Sequence, residues 1–329
     1  MSRKSLAAIL RSFGPAAQSV EVCEWSPEPP AAGEVSLEVL AAPVNPADIN
    51  IIEGKYGDLP ILPAVIGNEG VGRVVGIGAG VDAFQQGDLA VILRRGTWAQ
   101  SVTVAESELV KIPATTDILQ AAMLGVNPPT AFLMLRDFVS LSPGDWVVQN
   151  AANSAVGRAV LQIARGRGLK TLNVVRREEL VPELIALGAD VVVTEATDLR
   201  KEVRGLCGGV LPRLGLNAVG GPSALNVANA LASGSTLVTY GAMGMQPLKI
   251  PNGLLIFKDL RFAGFWLTNW KSRSTPAERG AVLVELAAMS ASGALRLAVH
   301  ATYPLTSLAE ALAAATGGSR SGKVLLDLR

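Results

Sequence analysis

The chain has 329 residues, of which 49% are hydrophobic and 17% charged, and its formal net charge at pH 7 is +1. This length and composition are typical of an α/β protein of about two domains, and the near-neutral charge excludes the strongly basic surface of a nucleic-acid or anionic-membrane binder. The sequence contains no apolar run of the roughly 18 residues that a membrane span needs.

Cysteine and histidine are too few for several kinds of site. Cys23 and Cys207 stand far apart and form no Cys-x-x-Cys pattern, so neither a disulfide framework nor a structural zinc site is indicated. His300 is the only histidine, and we expect it to have a structural role. The apolar part of residues 1–10 is too short for a targeting leader. We therefore expect a metal-free, cytoplasmic protein.

Residues 1 to about 120 are rich in strand signals that turns separate. Apolar patterns predict strands at 34–41, 89–93 and 97–104, after a first strand that ends before residue 12. Residues 64–80 carry six glycines among valines and isoleucines, which indicates bulges and bends in a curled β domain. We predict a partly closed barrel. Helical patterns follow over 117–139, where Pro128 and Pro129 begin the second helix.

From Gly144 onward, short apolar runs alternate with helical patterns. Strands are predicted at 146–150, 171–175, 190–194, 213–219, 235–240 and 260–266. Helices are predicted near 155–167, 179–187, 198–205 and 222–232. Six strands with helical crossovers predict a doubly wound sheet. An amphipathic helix over 276–292 follows, and residues 297–329 predict a strand, a helix at 306–315 and a last strand.

The turn between the strand at 146–150 and the next helix is the most informative stretch. A dinucleotide pyrophosphate binds at such a turn, because backbone N–H groups and the helix dipole point towards the anion. Ala152, Ser154 and Gly157 occupy the three small-residue places of the G-x-G-x-x-G pattern, although only the last is glycine. An ordinary tight turn between a strand and a helix is the alternative.

The end of the following strand predicts which dinucleotide binds. An NAD site would have Asp or Glu there for the ribose 2′-hydroxyl, whereas this chain has Arg176 and Arg177. Two guanidiniums suit a 2′-phosphate through charge-assisted bonds, which predicts NADP(H). The alternative is a solvated charge pair at a helix start, neutralised by Glu178 and Glu179.

Along the chain, a curled β domain is followed by a six-stranded cofactor domain and then by a segment that returns to the first domain. This order resembles that of the medium-chain dehydrogenase/reductase superfamily. Its zinc enzymes carry Gly-His-Glu-Gly, with the His on the metal; this chain has Gly67-Asn-Glu-Gly70 and is therefore similar to the zinc-free members. Among these it resembles the mitochondrial-type trans-2-enoyl thioester reductases over nearly its whole length. The blocks that carry the resemblance are Asn45-Pro-Ala-Asp-Ile-Asn50, Gly54-Lys-Tyr-Gly57, Leu62-Pro-Ala-Val65, Gly125-Val-Asn-Pro128, Gln149-Asn-Ala-Ala-Asn-Ser154, Asn173-Val-Val-Arg176, Leu255-Ile-Phe-Lys-Asp259 and Gly264-Phe-Trp-Leu267.

The resemblance implies a fold, a reaction and a set of site residues. The fold is a GroES-like, barrel-like catalytic domain (1–120 and 268–329) with a doubly wound, six-stranded Rossmann domain (121–267). The reaction is the NADPH-dependent reduction of the C2–C3 double bond of enoyl-CoA or enoyl-acyl-carrier-protein thioesters, in fatty-acid metabolism. Tyr56 matches the catalytic tyrosine. The implied cofactor contacts are Asn127, Asn153, Ser154, Ala155, Val156, Arg176, Arg177, Tyr240, Gly241, Ala242, Met243, Phe265, Trp266, Leu267 and Lys323.

The chemistry of the reaction agrees with a tyrosine at position 56. Hydride addition at the β carbon leaves an enolate on the thioester oxygen, which needs a fixed donor in a dry site. A phenol stays protonated at neutral pH and can donate. Asn45 and Trp266 are further candidates for the substrate side. The alternative is that Tyr56, which has glycines nearby on both sides, caps a turn.

Several properties stay open at this point. The loop 93–98 is shorter than in eukaryotic members of the family, which leaves acyl chain length and carrier open. A quinone or general enone reductase is the nearest alternative function, and a non-catalytic NADP-binding protein is a remote one. Ser235 to Tyr240 is apolar, and at a sheet edge it would pair across a two-fold axis. We therefore expect a homodimer without nucleic-acid or membrane partners.

Overall fold

The structure, a computed structural model, describes residues 5–318 and 321–329. Residues 1–4, which begin the stretch considered above as a targeting leader, and residues 319–320 lie outside the described residues. The strands are β1 (Ser5–Leu10), β2 (Val20–Trp25), β3 (Glu34–Pro43), β4 (Ala64–Val65), β5 (Gly70–Ile77), β6 (Leu89–Ile92), β7 (Ser101–Ala105), β8 (Leu109–Ile112), β9 (Trp146–Gln149), β10 (Lys170–Val175), β11 (Val191–Thr194), β12 (Leu214–Asn217), β13 (Thr236–Thr239), β14 (Arg261–Gly264), β15 (Val299–Pro304) and β16 (Lys323–Asp327).

The helices of the described residues are mostly short. They are α1 (Ala16–Ser19), α2 (Pro46–Ile52), α3 (Ile118–Ala122), α4 (Asn127–Asp137), α5 (Ala155–Gly166), α6 (Val181–Ala186), α7 (Leu199–Leu206), α8 (Gly221–Ala230), α9 (Asn252–Ile256), α10 (Leu267–Arg273), α11 (Pro276–Ala291) and α12 (Leu308–Thr316). Every one of them is too short or too polar to cross a bilayer.

The chain divides into two compact units. Unit 1 comprises residues 1–126 and 274–329, and unit 2 comprises residues 127–273. The predicted middle domain, 121–267, thus begins and ends six residues before unit 2. The catalytic role expected for one domain and the cofactor role expected for the other stay predictions.

Unit 2 contains a six-stranded parallel sheet with strand order β11-β10-β9-β12-β13-β14. This is the doubly wound order, in which the strand sequence reverses on either side of β9. The prediction from sequence is confirmed, and the ends of each strand differ from it by at most two residues. Val147, Val148 and Leu172 are completely buried, as in a parallel sheet covered on both faces.

The predicted position of residues 235–240 at the sheet edge is wrong. They include β13, which lies between β12 and β14, and the two edges of the sheet are β11 and β14. Apolarity marks a buried strand in either an edge or a central position, so it could not place this strand in the sheet.

The described residues of unit 1 form two sheets. The larger sheet follows the path β15-β16-β3-β5-β6-β8, with β7 also paired to β3, and the smaller one has the order β2-β1-β4. In the described part of the chain, the path of the larger sheet does not return to its first strand, so the barrel is not closed. The pairing of β3 with β5 contains two register shifts, which confirms the bulges expected from the glycine-rich stretch.

The predicted strand at 97–104 is shorter than expected, because pairing with β3 begins at Ser101. Thr97 and Trp98 are instead completely buried and held through side-chain hydrogen bonds. The Thr97 hydroxyl donates to the carbonyl oxygen of Glu69 at 2.7 Å, and the Trp98 indole donates to that of Pro43 at 3.2 Å. This anchoring joins the loop 93–98 to the core of unit 1.

Candidate active site

Four buried polar side chains lie at the start of α2 in unit 1, and we call Asn45, Asp48, Glu69 and Lys323 the carboxylate cluster. Each of them is at most 5% exposed. The Asn45 side chain donates to Glu69 at 2.7 Å and accepts from the Lys323 ammonium group. The Asn45 backbone N–H donates to the Asp48 carboxylate at 2.7 Å. Two carboxylates therefore share a buried site with one ammonium group.

The pKa of Asp48 is raised to about 7, mainly because burial disfavours the charged carboxylate. The Glu69 carboxylate raises this pKa further, whereas the Asn45 N–H, the Lys323 charge and the Asn68 amide lower it. Asp48 consequently gains or loses a proton near neutral pH.

A chain of contacts extends from the cluster towards Tyr56. Asn68, which stands where the zinc enzymes have their His, donates to Asp48 at 2.6 Å and accepts from Arg95 Nε at 3.2 Å. Arg95 also pairs with Asp58 at 3.1 Å, and its guanidinium carbon lies 6.0 Å from the centroid of the Tyr56 ring. A positive charge beside a phenol stabilises the phenolate that remains after proton donation.

In unit 2, the turn from β9 to α5 has the conformation that an anion site requires. Ser154 precedes α5, and its hydroxyl accepts from the N–H of Gly157 at 3.1 Å. The N–H groups of Ala155 and Val156, in the first turn of α5, have no hydrogen-bond partner in the described part of the chain. Free N–H groups at a helix N-terminus are suited to a phosphate group.

Two small residues of this turn, Gly157 and Ala151, are unusual in different ways. A β-carbon on Gly157 would lie 2.5 Å from the carbonyl oxygen of Ala152, so a larger residue does not fit there. Ala151 has a φ of +48°, which non-glycine residues adopt infrequently. Strain of this kind is concentrated at functional sites, and here it falls at the turn that sequence analysis predicted as the pyrophosphate site.

Four buried amides lie in and beside the strands that flank this turn, and we call Gln149, Asn150, Asn173 and Asn217 the amide network. All four are completely buried. Gln149 donates to Asn173 and Asn150 donates to Asn217, both at 2.8 Å. The network also reaches the backbone of the turn, because Gln149 donates to the carbonyl oxygen of Gly157 at 3.0 Å. No member of the network carries a charge.

Arg176 and Arg177 directly follow β10 and are exposed. Neither forms an ion pair with Glu178, Glu179 or any other residue that the structure describes. The geometry therefore does not support the alternative in which Glu178 and Glu179 neutralise the two arginines. Both guanidiniums are available to an anionic ligand.

The remaining predicted cofactor residues of unit 2 lie in several elements. Asn127 begins α4 and is buried, and Tyr240 follows β13, with Gly241, Ala242 and the half-exposed Met243 after it. Phe265, Trp266 and Leu267 follow β14, where the Phe265 ring packs edge-on against Phe138 with centroids 6.0 Å apart.

Among these residues of unit 2, Tyr240 has a buried hydroxyl group that is left for a ligand to bond. Its hydroxyl is buried without a hydrogen-bond partner among the described residues. Burial raises the pKa of Tyr240, against a smaller lowering from the Ser154 side chain, which lies close to the phenol but lacks the geometry of a hydrogen bond. Buried hydroxyls normally find a partner, so this atom together with the free N–H groups of the turn fits a bound dinucleotide.

Lys323 differs from the other predicted cofactor residues because it lies in unit 1, where its ammonium group bonds to Asn45. Asn45, predicted on the substrate side, and Tyr56 also lie in unit 1. The roles predicted for all of these residues stay predictions.

Comparison with known proteins identifies the family. Residues 31–114 match the alcohol dehydrogenase GroES-like domain, and residues 155–281 match the zinc-binding dehydrogenase family. The mitochondrial enoyl-(acyl-carrier-protein) reductase of Mus musculus is 44% identical over 302 residues, covering 90% of this chain and 81% of the relative. That of Xenopus tropicalis is 46% identical over 257 residues, covering 76% of this chain and 73% of the relative. The chain belongs to the enoyl thioester reductases of the medium-chain dehydrogenase/reductase superfamily.

Solved structures agree with this membership. An Etr1p complex with NADP and crotonyl-CoA has a TM-score of 0.90 at 29% identity, covering 99% of this chain and 100% of that one. The mitochondrial 2-enoyl thioester reductase Etr1p/Etr2p heterodimer of Candida tropicalis has a TM-score of 0.88 at 30% identity, covering 99% and 100%. A Bacillus thuringiensis protein provisionally named an NADPH:quinone reductase has a TM-score of 0.93 at 27% identity, covering 99% of each chain.

The expectation of a cytoplasmic protein is wrong. The related enoyl reductases of Mus musculus, Rattus norvegicus and Homo sapiens are all named mitochondrial. The short apolar stretch at 1–10 is too weak a feature to indicate the compartment.

The part of the chain that the structure describes shows no metal site. Within residues 5–318 and 321–329, no three His, Cys, Asp or Glu side chains come together as ligands could. Both cysteines are free thiols and His300 is exposed on β15. That the enzyme works without metal stays a prediction.

Three side chains of the unit 1 site, Asp48, Glu69 and Arg95, are not among the residues predicted from the sequence. Asp48 and Glu69 stand inside the blocks at 45–50 and 67–70, and charged residues within such apolar, turn-rich blocks were the available signal. Arg95 had no local signal, because its partners Asp58 and Asn68 are 37 and 27 residues away in the chain.

Proposed function

We propose that this protein reduces the C2–C3 double bond of trans-2-enoyl thioesters with NADPH, as part of fatty-acid metabolism. The observation that carries the proposal is its membership of a family whose curated members are named for this reaction. The retained tyrosine with Arg95 beside its ring supports it independently, because this reaction needs a proton donor whose deprotonated form is stabilised.

In this proposal, all of the predicted cofactor contacts except Lys323 come from unit 2. The free N–H groups of Ala155 and Val156, Ser154 and Asn153 would bind the pyrophosphate, and Arg176 with Arg177 would bind the 2′-phosphate. When bound, the nicotinamide cofactor supplies a hydride to the β carbon of the substrate. NADP in the related Etr1p complex supports the phosphorylated form.

Unit 1 supplies the proton donor. Tyr56 would hydrogen-bond to the thioester oxygen as negative charge develops there. Its O–H proton would then pass to the α carbon as the enolate returns to the thioester carbonyl, which leaves a phenolate on Tyr56. Arg95 stabilises the phenolate, and Asn68 with Asp58 holds the Arg95 guanidinium in place. Asn45 and Trp266 stay candidates for contacts to the thioester.

The direct test is NADPH oxidation with enoyl thioesters of graded length, each on CoA and on acyl carrier protein, against simple quinones. We expect turnover of the thioesters to exceed that of quinones at least tenfold in kcat/KM. The resemblance to the Bacillus thuringiensis protein favours a quinone reductase as the second candidate. Faster turnover of quinones than of every thioester would replace our proposal with that one.

Replacing Tyr56 tests the proposed donor. Tyr56→Phe should lower kcat by about 10²–10³ because one oxyanion donor is lost, while the melting temperature and NADPH binding stay near wild type. A Tyr56 that only caps a turn would instead lower the melting temperature and leave kcat of the folded protein unchanged. Both quantities are measured on one preparation.

Cofactor choice is tested at the two arginines after β10. Arg176→Ala with Arg177→Ala removes bonds worth roughly 1.5–3 kcal/mol each, so NADPH should bind at least tenfold more weakly and NADH nearly as before. Titration with both dinucleotides measures the ratio. An unchanged preference for NADPH would contradict the assignment.

We also propose that the protein forms a homodimer through unit 2. Among the described residues, the edge strand β14 has no partner strand on its outer side. The large apolar side chains Met245, Ile256 and Phe257, in the segment before it, are exposed. Light scattering should give twice the chain mass. A monomer mass would contradict the proposal, and the Etr1p/Etr2p pair makes a mixed dimer a further outcome to compare.

A further inference from the structure

Arg158 is a charged residue in an unusual place, the first turns of α5. Only 5% of it is exposed. Its Nε donates to the carbonyl oxygen of Asn153 at 3.0 Å, and its Nη1 pairs with Glu183 of α6 at 2.8 Å. The guanidinium is thus fixed between α6 and the turn that precedes α5.

The electrostatics of this position are unfavourable for the helix. A cation near a helix N-terminus opposes the helix dipole, and removing a charge from water has a large cost. Glu183 offsets this cost only in part, because 41% of its side chain is exposed and its charge is screened by water. Residues that break a local rule in this way occur mainly at functional sites.

The contact with Asn153 connects Arg158 to the proposed cofactor site. Arg158 bonds to a carbonyl group of the same turn whose next N–H groups, those of Ala155 and Val156, are free among the described residues. Ala151 in the same turn has a positive φ, so the turn needs an outside contact to hold it. The guanidinium also places a positive charge beside the turn that carries these N–H groups.

We propose that Arg158 is a positioning residue for the dinucleotide, which fixes the pyrophosphate turn and adds a permanent positive charge to it. The inference rests on the proposed function, since it takes the turn to be the pyrophosphate site. It differs from the role of Arg176 and Arg177, because Arg158 acts on a group that NADPH and NADH share.

The test uses the full-length protein and four single variants. Arg158→Gln removes the charge, Arg158→Lys keeps it, and Glu183→Gln removes the ion pair but leaves Arg158 in place. Arg165→Gln is the matched control, because Arg165 is an exposed arginine of the same helix. Dissociation constants are measured by titration for NADPH, NADH and adenosine 2′-monophosphate, which has the 2′-phosphate but no pyrophosphate.

We expect Arg158→Gln to weaken NADPH and NADH by the same factor, about tenfold or more, since a charged group near an anion is lost. Adenosine 2′-monophosphate should bind it as it binds wild type, and Arg165→Gln should match wild type for all three ligands. Arg158→Lys should bind both dinucleotides more tightly than Arg158→Gln, and Glu183→Gln should lose less than Arg158→Gln.

Three outcomes would overturn the inference. The first is wild-type affinity for both dinucleotides in Arg158→Gln, and the second is an equal loss of adenosine 2′-monophosphate, which would indicate general damage to unit 2. The third is equal loss in Arg158→Lys and Arg158→Gln, which would remove the contribution of charge. Wild-type protein that binds neither dinucleotide would overturn the proposed function and this inference with it.

Discussion

The carboxylate cluster of unit 1 has two carboxylates and one ammonium group, whereas the amide network of unit 2 has four uncharged amides. Both are almost fully buried. Neutral amides in such a place need only hydrogen-bond partners, while buried charges need both partners and opposite charges nearby. The two networks therefore respond differently to the loss of one member and to a change of pH.

The difference corresponds to the chemistry proposed for each unit. A cofactor site benefits from a shape that is independent of pH, and the amide network holds the strands around the turn without a titratable group. A proton-donating site benefits from groups that exchange protons near neutral pH, and the raised pKa of Asp48 supplies one in the cluster connected to Arg95.

The largest expected effect comes from removing the cation of the carboxylate cluster. Lys323→Met should lower the free energy of unfolding by about 3–5 kcal/mol, because Asp48 and Glu69 then lose a buried opposite charge. Lys111→Met is the control, since about half of the Lys111 side chain is exposed (48%) and a surface pair such as that with Asp88 is worth about 0–1 kcal/mol. Denaturant unfolding measures both. An equal loss of unfolding free energy in the two variants would show that the buried ammonium group of the cluster contributes no more than a surface one.

A smaller loss is expected from the amide network. Asn150→Ala should lower the free energy of unfolding by about 1–3 kcal/mol, because the Ala218 N–H loses its buried acceptor. The cost should be the same at pH 5.5 and pH 7.5. Asn269→Ala, at an exposed position of α10, should change stability by less than about 0.5 kcal/mol. A cost that depends on pH would contradict the neutral character of this network.

Taken per unit of pH, the smallest effect is the dependence of stability on pH at Asp48. Its pKa is about 7 in the folded protein against 3.8 ordinarily, so between these values the unfolded chain releases a proton that the folded protein keeps. Rising pH over this range therefore favours unfolding, and the contribution of Asp48 to stability falls until about pH 7.

Asp48→Asn should remove this slope. The stability of the variant relative to wild type should rise with pH by at most about 1.4 kcal/mol per unit between pH 4 and 7, and stay constant above that. Unfolding curves at four pH values measure the difference. A relative stability that stays flat across the range would show that Asp48 is ionised throughout.

Local pattern predicted much of this fold. The βα repetition placed all six strands of the unit 2 sheet, because each is a short apolar run between turn residues, as at 146–149. Pro128 and Pro129 indicated the start of α4, and Arg176 with Arg177 was found from the strand before it. These features depend on neighbours in the chain, which a sequence displays directly.

Features that depend on distant pairing were missed or misplaced. Residues 235–240 lie inside the sheet and not at its edge, because β13 stands between β12 and β14 in the strand order. No local pattern in the sequence encodes that order. The cluster joins Asn45 to Lys323 across 278 residues. Arg158 had the expected helical position, but its partner Glu183 on another helix could not be inferred from spacing.

One feature of unit 1 has a consequence for biosynthesis. Its sheet needs β16, the last strand of the chain, which pairs with β3 and carries Lys323. A chain emerging from the ribosome therefore exposes Asp48 and Glu69 long before their cation is synthesised. Residues 127–273 have no such dependence, because all six strands of their sheet are contiguous in translation. We expect unit 2 to acquire its native contacts first. The amino-terminal part of unit 1 should stay incompletely folded, and bound to chaperones, until translation is complete.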